Sequence, residues 1–140
     1  MIIGKLATKR RQQLAMSNAP SILIVDDDDD IRTTLSELLE TMQFAVVAAP
    51  DGLEALNKLR EGARPDMIFL DLMMPVMDGY EFMLELRKHA VLAKIPIVII
   101  TAAGNARGEA QKLGAAGHLQ KPFKIDELFA TIDRLVPRGG

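Results

Sequence analysis

At 140 residues the chain has room for one domain. With 49% hydrophobic side chains, that domain can bury a core made mainly of Leu, Ile, Val, Ala and Met, because aromatics are only 4%. The lack of cysteine excludes a disulfide framework and thiolate chemistry. The net charge of -2 hides a split: four of the 17 basic residues, Lys5, Lys9, Arg10 and Arg11, precede position 21 with no acid among them, so 13 basic side chains face 19 acidic ones afterwards, and the acidic body argues against a nucleic-acid surface.

Residues 1–20, MIIGKLATKRRQQLAMSNAP, read as a basic, flexible tail. A helix from Leu6 to Met16 is short enough to be marginal on its own. The sharper alternative is a basic helix that binds a membrane or a partner. Met16 is a candidate start, since ordered patterning begins just after it. Ile2-Ile3 is too short for a signal-peptide core and no run reaches the length of a membrane span, so a cytoplasmic, soluble protein is expected.

From Ser21 onward the hydrophobic period alternates. Ile22–Val25 predicts a buried strand, and Ile31, Leu35, Leu38, Leu39 and Met42 mark a helix. Phe44–Ala48 predicts a second strand; after the turn Pro50-Asp51-Gly52, a helix carries Leu53, Leu56 and Leu59 and closes near Gly62. Met67–Leu70 is the third strand, and Asp78-Gly79 opens a helix with Phe82, Met83 and Leu86. Ile95–Ile100 is a β-branched fourth strand, followed by a weak Ala-rich helix over Ala102–Leu113. His118-Leu119 is a short fifth strand, and Ile125–Leu135 is the last helix. Five β-α units with apolar rather than alternating strands predict a doubly wound parallel α/β sheet, covered on both faces.

In such a sheet the chemistry lies beyond the carboxyl ends of the strands. Asp26-Asp27, Asp71, Thr101 and Lys121 follow strands 1, 3, 4 and 5 and should converge there. The run of five aspartates at 26–30 then divides: Asp26 and Asp27 enter the crevice, Asp28 is a helix N-cap, and Asp29 and Asp30 sit in the first turn against the positive end of the helix dipole. Oxygen donors without His or Cys suit Mg²⁺, with Mn²⁺ as the second choice. A lysine and a hydroxyl complete the parts for holding a phosphoryl group, and a carboxylate can itself be the nucleophile. Met67, Met73, Met74, Met77 and Met83 read as packing rather than copper ligands, His89 as a helix C-terminal residue, and Asp66 as loop.

The pieces ILIVDDD (22–28), PDMIFLDLMMPVMDG (65–79), IPIVIITA (95–102) and GHLQKPF (117–123) resemble the response-regulator receiver domain, the CheY-like module of two-component signalling. The resemblance spans the chain beyond the tail and implies a flavodoxin-like (βα)5 sheet in the order 2-1-3-4-5, with residues 21–140 as the domain. It implies that Asp71 is the phosphoacceptor, with Asp27 as a direct Mg²⁺ ligand, Asp26 a ligand mostly through water, and the Met73 main-chain carbonyl the third protein ligand. Thr101 matches the switch hydroxyl, Lys121 the phosphoryl-contacting lysine, and the bond before Pro122 is usually cis. A sensor histidine kinase or histidine phosphotransfer protein is the implied donor. A downstream protein reads the surface of helix 4, strand 5 and helix 5, by a monomer or an activation-dependent dimer. Such a domain is not an enzyme beyond its own phosphorylation and dephosphorylation. One departure stands out: His118 occupies a switch position where the family usually has Tyr or Phe, and imidazole is smaller, polar and titratable near neutrality. Two other readings stay open: a degenerate receiver that binds proteins without phosphorylation, and a haloacid-dehalogenase-type phosphatase with Asp26 as nucleophile and Asp28 as acid.

Overall fold

Four mainly apolar runs and a short fifth, Gly-His-Leu-Gln, pair in parallel in the computed structural model, which describes residues 19–137. The strands are β1 (Ser21–Val25), β2 (Ala45–Ala49), β3 (Met67–Asp71), β4 (Ile97–Thr101) and β5 (Gly117–Gln120), in the order β2-β1-β3-β4-β5. The helices are α1 (Asp29–Thr41), α2 (Gly52–Arg60), α3 (Gly79–Arg87), α4 (Ala106–Leu113) and α5 (Ile125–Leu135). This is the expected flavodoxin-like arrangement. All but the last two residues of the predicted tail lie outside the described residues. Among those described, no helix is long and apolar enough to cross a membrane.

The pleat explains why the strands read as unbroken apolar runs. Ile22, Ile24, Met67, Phe69, Val98 and Ile100 face one side, with Leu35 and Leu39 of α1 and Leu128 and Ile132 of α5. Leu23, Val25, Ile68, Leu70, Ile97 and Ile99 face the other, with Leu56 and Leu59 of α2 and Phe82 and Leu86 of α3. Successive side chains point to opposite faces, and here both faces are covered. Each such Leu or Ile stabilises the fold by roughly 1.5–3 kcal/mol relative to exposure.

Helix starts follow the sequence closely. The Asp28 side chain accepts from the N–H groups of Asp30 and Ile31, at 2.9 and 3.2 Å. Asp78 accepts from Glu81 N–H at 2.9 Å, and Glu81 reaches back to the Asp78 N–H, a complete capping box. Several boundaries differ: β3 and β4 each run one residue further, so Asp71 and Thr101 are the last residues of their strands rather than the first beyond them, and three other shifts have a local cause. The second strand begins at Ala45 because the Phe44 N–H still closes the end of α1, donating to Leu39 O at 3.1 Å. The fourth begins at Ile97, after an unforeseen 3-10 turn at Leu92–Lys94. The fourth helix begins only at Ala106, where Asn105 caps it by accepting from Gly108 N–H at 3.1 Å. Asp66 is more than loop: its carboxylate accepts from Ser21 N–H at 2.8 Å and secures the start of β1. His89 lies just past the C-terminus of α3, as expected.

Candidate functional site

Parallel register brings the strand ends level. Val25 pairs with Leu70, Asp71 with Ile100, and Thr101 with Gln120. The order reverses at β1, because β2 and β3 flank it on opposite sides, and this opens a crevice beyond β1 and β3. Asp26 and Asp27 enter it from β1 and Asp71 from β3. One carboxylate oxygen from each lies within 4.8 Å of the others. Asp26 and Asp71 are buried and Asp27 is exposed. Three hard oxygen donors from two strand ends fit a small divalent cation that keeps part of its water.

Lys121 reaches the crevice from the end of β5. Its Nζ lies 2.7 Å from Asp26 Oδ2 and 3.5 Å from Asp71 Oδ2. The Lys121–Pro122 bond is cis. Lys121 N–H donates to Thr101 O at 2.9 Å, which ties the lysine to the end of β4. Thr101 is buried, and its Oγ accepts from Ala103 N–H at 3.2 Å. Met73 is exposed; its N–H donates to Asp71 Oδ1 at 3.3 Å. His118 is exposed on β5, opposite Ile99, in a depression also lined by Arg107, Glu127 and Arg134.

The electrostatics follow from these distances. Burial pushes the Asp71 carboxyl up to about 6, and the neighbouring Asp26 charge adds to that, while Lys121 and the Met73 N–H pull the other way. Burial by itself would lower the Lys121 ammonium. The hydrogen bond and charge of Asp26, with Asp71 behind, outweigh it and the net shift is upward. The ammonium is nearer to Asp26 than to Asp71, so Asp71 is the less compensated acid.

Three residues outside the expected set support the site. Arg32 Nη1 donates to the Asp26 main-chain carbonyl at 2.7 Å, and its other nitrogen pairs with Asp29. Gly79 packs against the end of β3: a Cβ there would lie 2.6 Å from Asp71 O and 2.8 Å from Leu72 Cα. Gln120 bridges β5 to the loop after β4. The i,i+3 spacing of Asp29 and Arg32 is a visible helical pair. Nothing local shows what the other two touch, because Gly79 packs a helix start on a strand end and Gln120 reaches across strands.

A model of the response regulator receiver domain matches residues 22–133. The chemotaxis protein CheY4 of Vibrio cholerae is similar in structure, with a TM-score of 0.75 and 36% identity over 84% of this chain and 99% of that one. The response regulator TrrA of Thermotoga maritima, solved in complex with Mg(2+)-BeF, has a TM-score of 0.73 and 32% identity over 84% of this chain and 99% of that one. The probable transcriptional regulator ycf29 of Pyropia yezoensis is 36% identical over 119 residues, 84% of this chain and 53% of that protein. The chain spans about half the length of the curated relatives it matches. Sheet order, converging strand ends and the matched span agree: the chain belongs to the response regulator receiver domain family of two-component signalling.

Proposed function

We propose that Asp71 is a phosphoacceptor and that its modification switches the surface formed by α4, β5 and α5. The observation that carries this reading is the meeting of three carboxylates within 4.8 Å of one another with the Lys121 ammonium among them. A carboxylate oxygen of Asp71 attacks the phosphorus of the donor, the bond from phosphorus to the donor breaks, and Asp71 becomes an acyl phosphate. Asp26, Asp27, Asp71 and the Met73 carbonyl are the groups to hold Mg²⁺ (Mn²⁺ being the alternative), which supplies charge neutralisation for the phosphoryl oxygens. Lys121 moves its charge from Asp26 toward the new phosphoryl group, and the Thr101 hydroxyl donates to one of its oxygens. The donor is a histidine kinase or a histidine phosphotransfer protein. Beside Lys121 a groove of about 700 Å³ between α1 and α5, lined by Ile31, Leu35, Leu38, Phe123 and Leu128, leaves apolar surface next to the site for that donor to cover.

Incubation with acetyl phosphate and Mg²⁺, followed by mapping of the labelled residue, tests the reading. Label on Asp71, absent from Asp71→Ala, is expected. Label on Asp26 would instead support a hydrolase of the haloacid-dehalogenase type, and persistent absence of label a receiver that binds partners without phosphorylation.

His118 is exposed on β5 at the position matched to the switch ring. Turning a polar imidazole inward with Thr101 costs more desolvation than turning in a phenyl ring. His118→Phe is therefore expected to bind beryllofluoride with Mg²⁺ more tightly than the natural protein, and equal affinities would remove this position from the switch.

A further inference from the structure

Gln120 is the last residue of β5, between His118-Leu119 and Lys121, and stands opposite Thr101 in the β4–β5 register. Its side-chain amide crosses to the loop that follows β4. Nε2 donates to Thr101 O at 3.2 Å and to Ala103 O at 2.8 Å. Oε1 accepts from Ala106 N–H at 3.2 Å. Two carbonyls and one N–H surround the amide, so only one orientation of the group satisfies all three. Ala106 is the first residue of α4, and its N–H is one of those a helix start leaves without an intrahelical partner.

The same amide thus holds both ends of the segment that carries Thr101 into α4. Within that segment the Thr101 Oγ accepts from Ala103 N–H. A Thr101 displaced toward a group on Asp71 would stretch that bond and pull the backbone of 101–106 with it. The Gln120 bonds to Thr101, Ala103 and Ala106 oppose the shift.

We propose that Gln120 is a positioning residue, a latch that keeps the β4–α4 loop in the arrangement seen here and weakens binding of phosphoryl-like groups at Asp71. This rests on Asp71 as the phosphoacceptor. A reporter is built in. Tyr80 is the chain's one tyrosine, there is no tryptophan, and its hydroxyl donates to Glu109 Oε2 at 2.8 Å, joining α3 to the first turn of α4. Tyrosine fluorescence therefore reads the position of α4.

The test titrates natural protein and Gln120→Leu with Mg²⁺ alone, then with beryllofluoride in saturating Mg²⁺, following Tyr80. Gln120→Leu is expected to bind beryllofluoride about tenfold more tightly, the scale of one or two net neutral hydrogen bonds, with its affinity for Mg²⁺ alone unchanged. Gln120→Glu keeps the acceptor for Ala106 N–H and loses both donors, so it should tighten binding in the same direction and serves if the leucine variant does not fold. In the natural protein, exchange of the Ala106 amide hydrogen should accelerate when beryllofluoride binds. Unchanged or weaker beryllofluoride binding in the variants, an equal tightening for Mg²⁺ alone, or an Ala106 amide as protected as before would each overturn the latch. If the natural protein binds no beryllofluoride, the assignment of Asp71 fails and the latch with it. If it binds and the variants match it, only the latch fails.

Discussion

Asp71→Asn is expected to make the protein more stable in the absence of divalent metal at neutral pH, by about 2 kcal/mol, and, on the proposed role of Asp71, to abolish phosphorylation. The cause is the partly compensated carboxylate at the end of β3. Its value in the unfolded chain is 3.8, and burial beside Asp26 raises it to about 6 in the fold. Between those values the folded protein keeps a proton that the unfolded chain has released, so stability falls as pH rises through that window and stays lower above it. At about 1.4 kcal/mol per unit, the full shift corresponds to about 3 kcal/mol. That shift is already net of the Lys121 attraction and the Met73 N–H bond; an amide reproduces the contacts of the protonated acid only in part, which leaves about 2 kcal/mol. Urea unfolding in chelator across the window checks this. The natural protein should lose stability with rising pH where Asp71→Asn does not. With Asp71 as a ligand, as proposed, Mg²⁺ should then stabilise the natural protein far more than the variant. An asparagine variant less stable than the natural protein at neutral pH without metal would contradict the account.

Gly79→Ala is the second large effect, with an expected loss of about 2–4 kcal/mol. The added methyl carbon would stand 2.6 Å from the Asp71 carbonyl oxygen and 2.8 Å from Leu72 Cα, and both neighbours are backbone. Neither can swing aside as a side-chain tip would. Gly79 N–H also donates to Leu72 O at 3.0 Å, so α3 starts directly on the residue after Asp71. Pushing the helix off this contact moves the end of β3, and Mg²⁺ affinity should fall along with the unfolding midpoint. Gly104→Ala is the control: a Cβ there meets nothing within 4 Å, and the change should alter stability by less than about 0.5 kcal/mol. Equal midpoints for the two variants would show that the β3–α3 contact yields more easily than its geometry implies.

Gly79 also marks where sequence reading stops. Asp78-Gly79 was legible as a helix start, and the structure makes Asp78 its cap. That the glycine is needed for close approach to Asp71 was not legible, because the contact depends on how α3 lies on the sheet. The late start of α4 has a similar origin. Its Ala-rich pattern runs back to Ala102, but Asn105 and the Gln120 amide hold the preceding loop out of helical conformation. Competing tertiary hydrogen bonds prevailed over a weak local propensity.

What the chain determines locally is the alternation of periods, the caps at Asp28 and Asp78, and the placement of acids, a hydroxyl and a lysine at the carboxyl ends of four strands. These depend on neighbours within a few residues, and side-chain period and capping chemistry act at that range. Only the tertiary structure decided that Lys121 lies closer to Asp26 than to Asp71, that burial beside Asp26 raises the Asp71 carboxyl, and that Gln120 spans to Thr101, Ala103 and Ala106. Lys121 and Asp26 are 95 positions apart. Their separation in space is set by sheet register and by the packing of helices on two faces, and no local pattern encodes either.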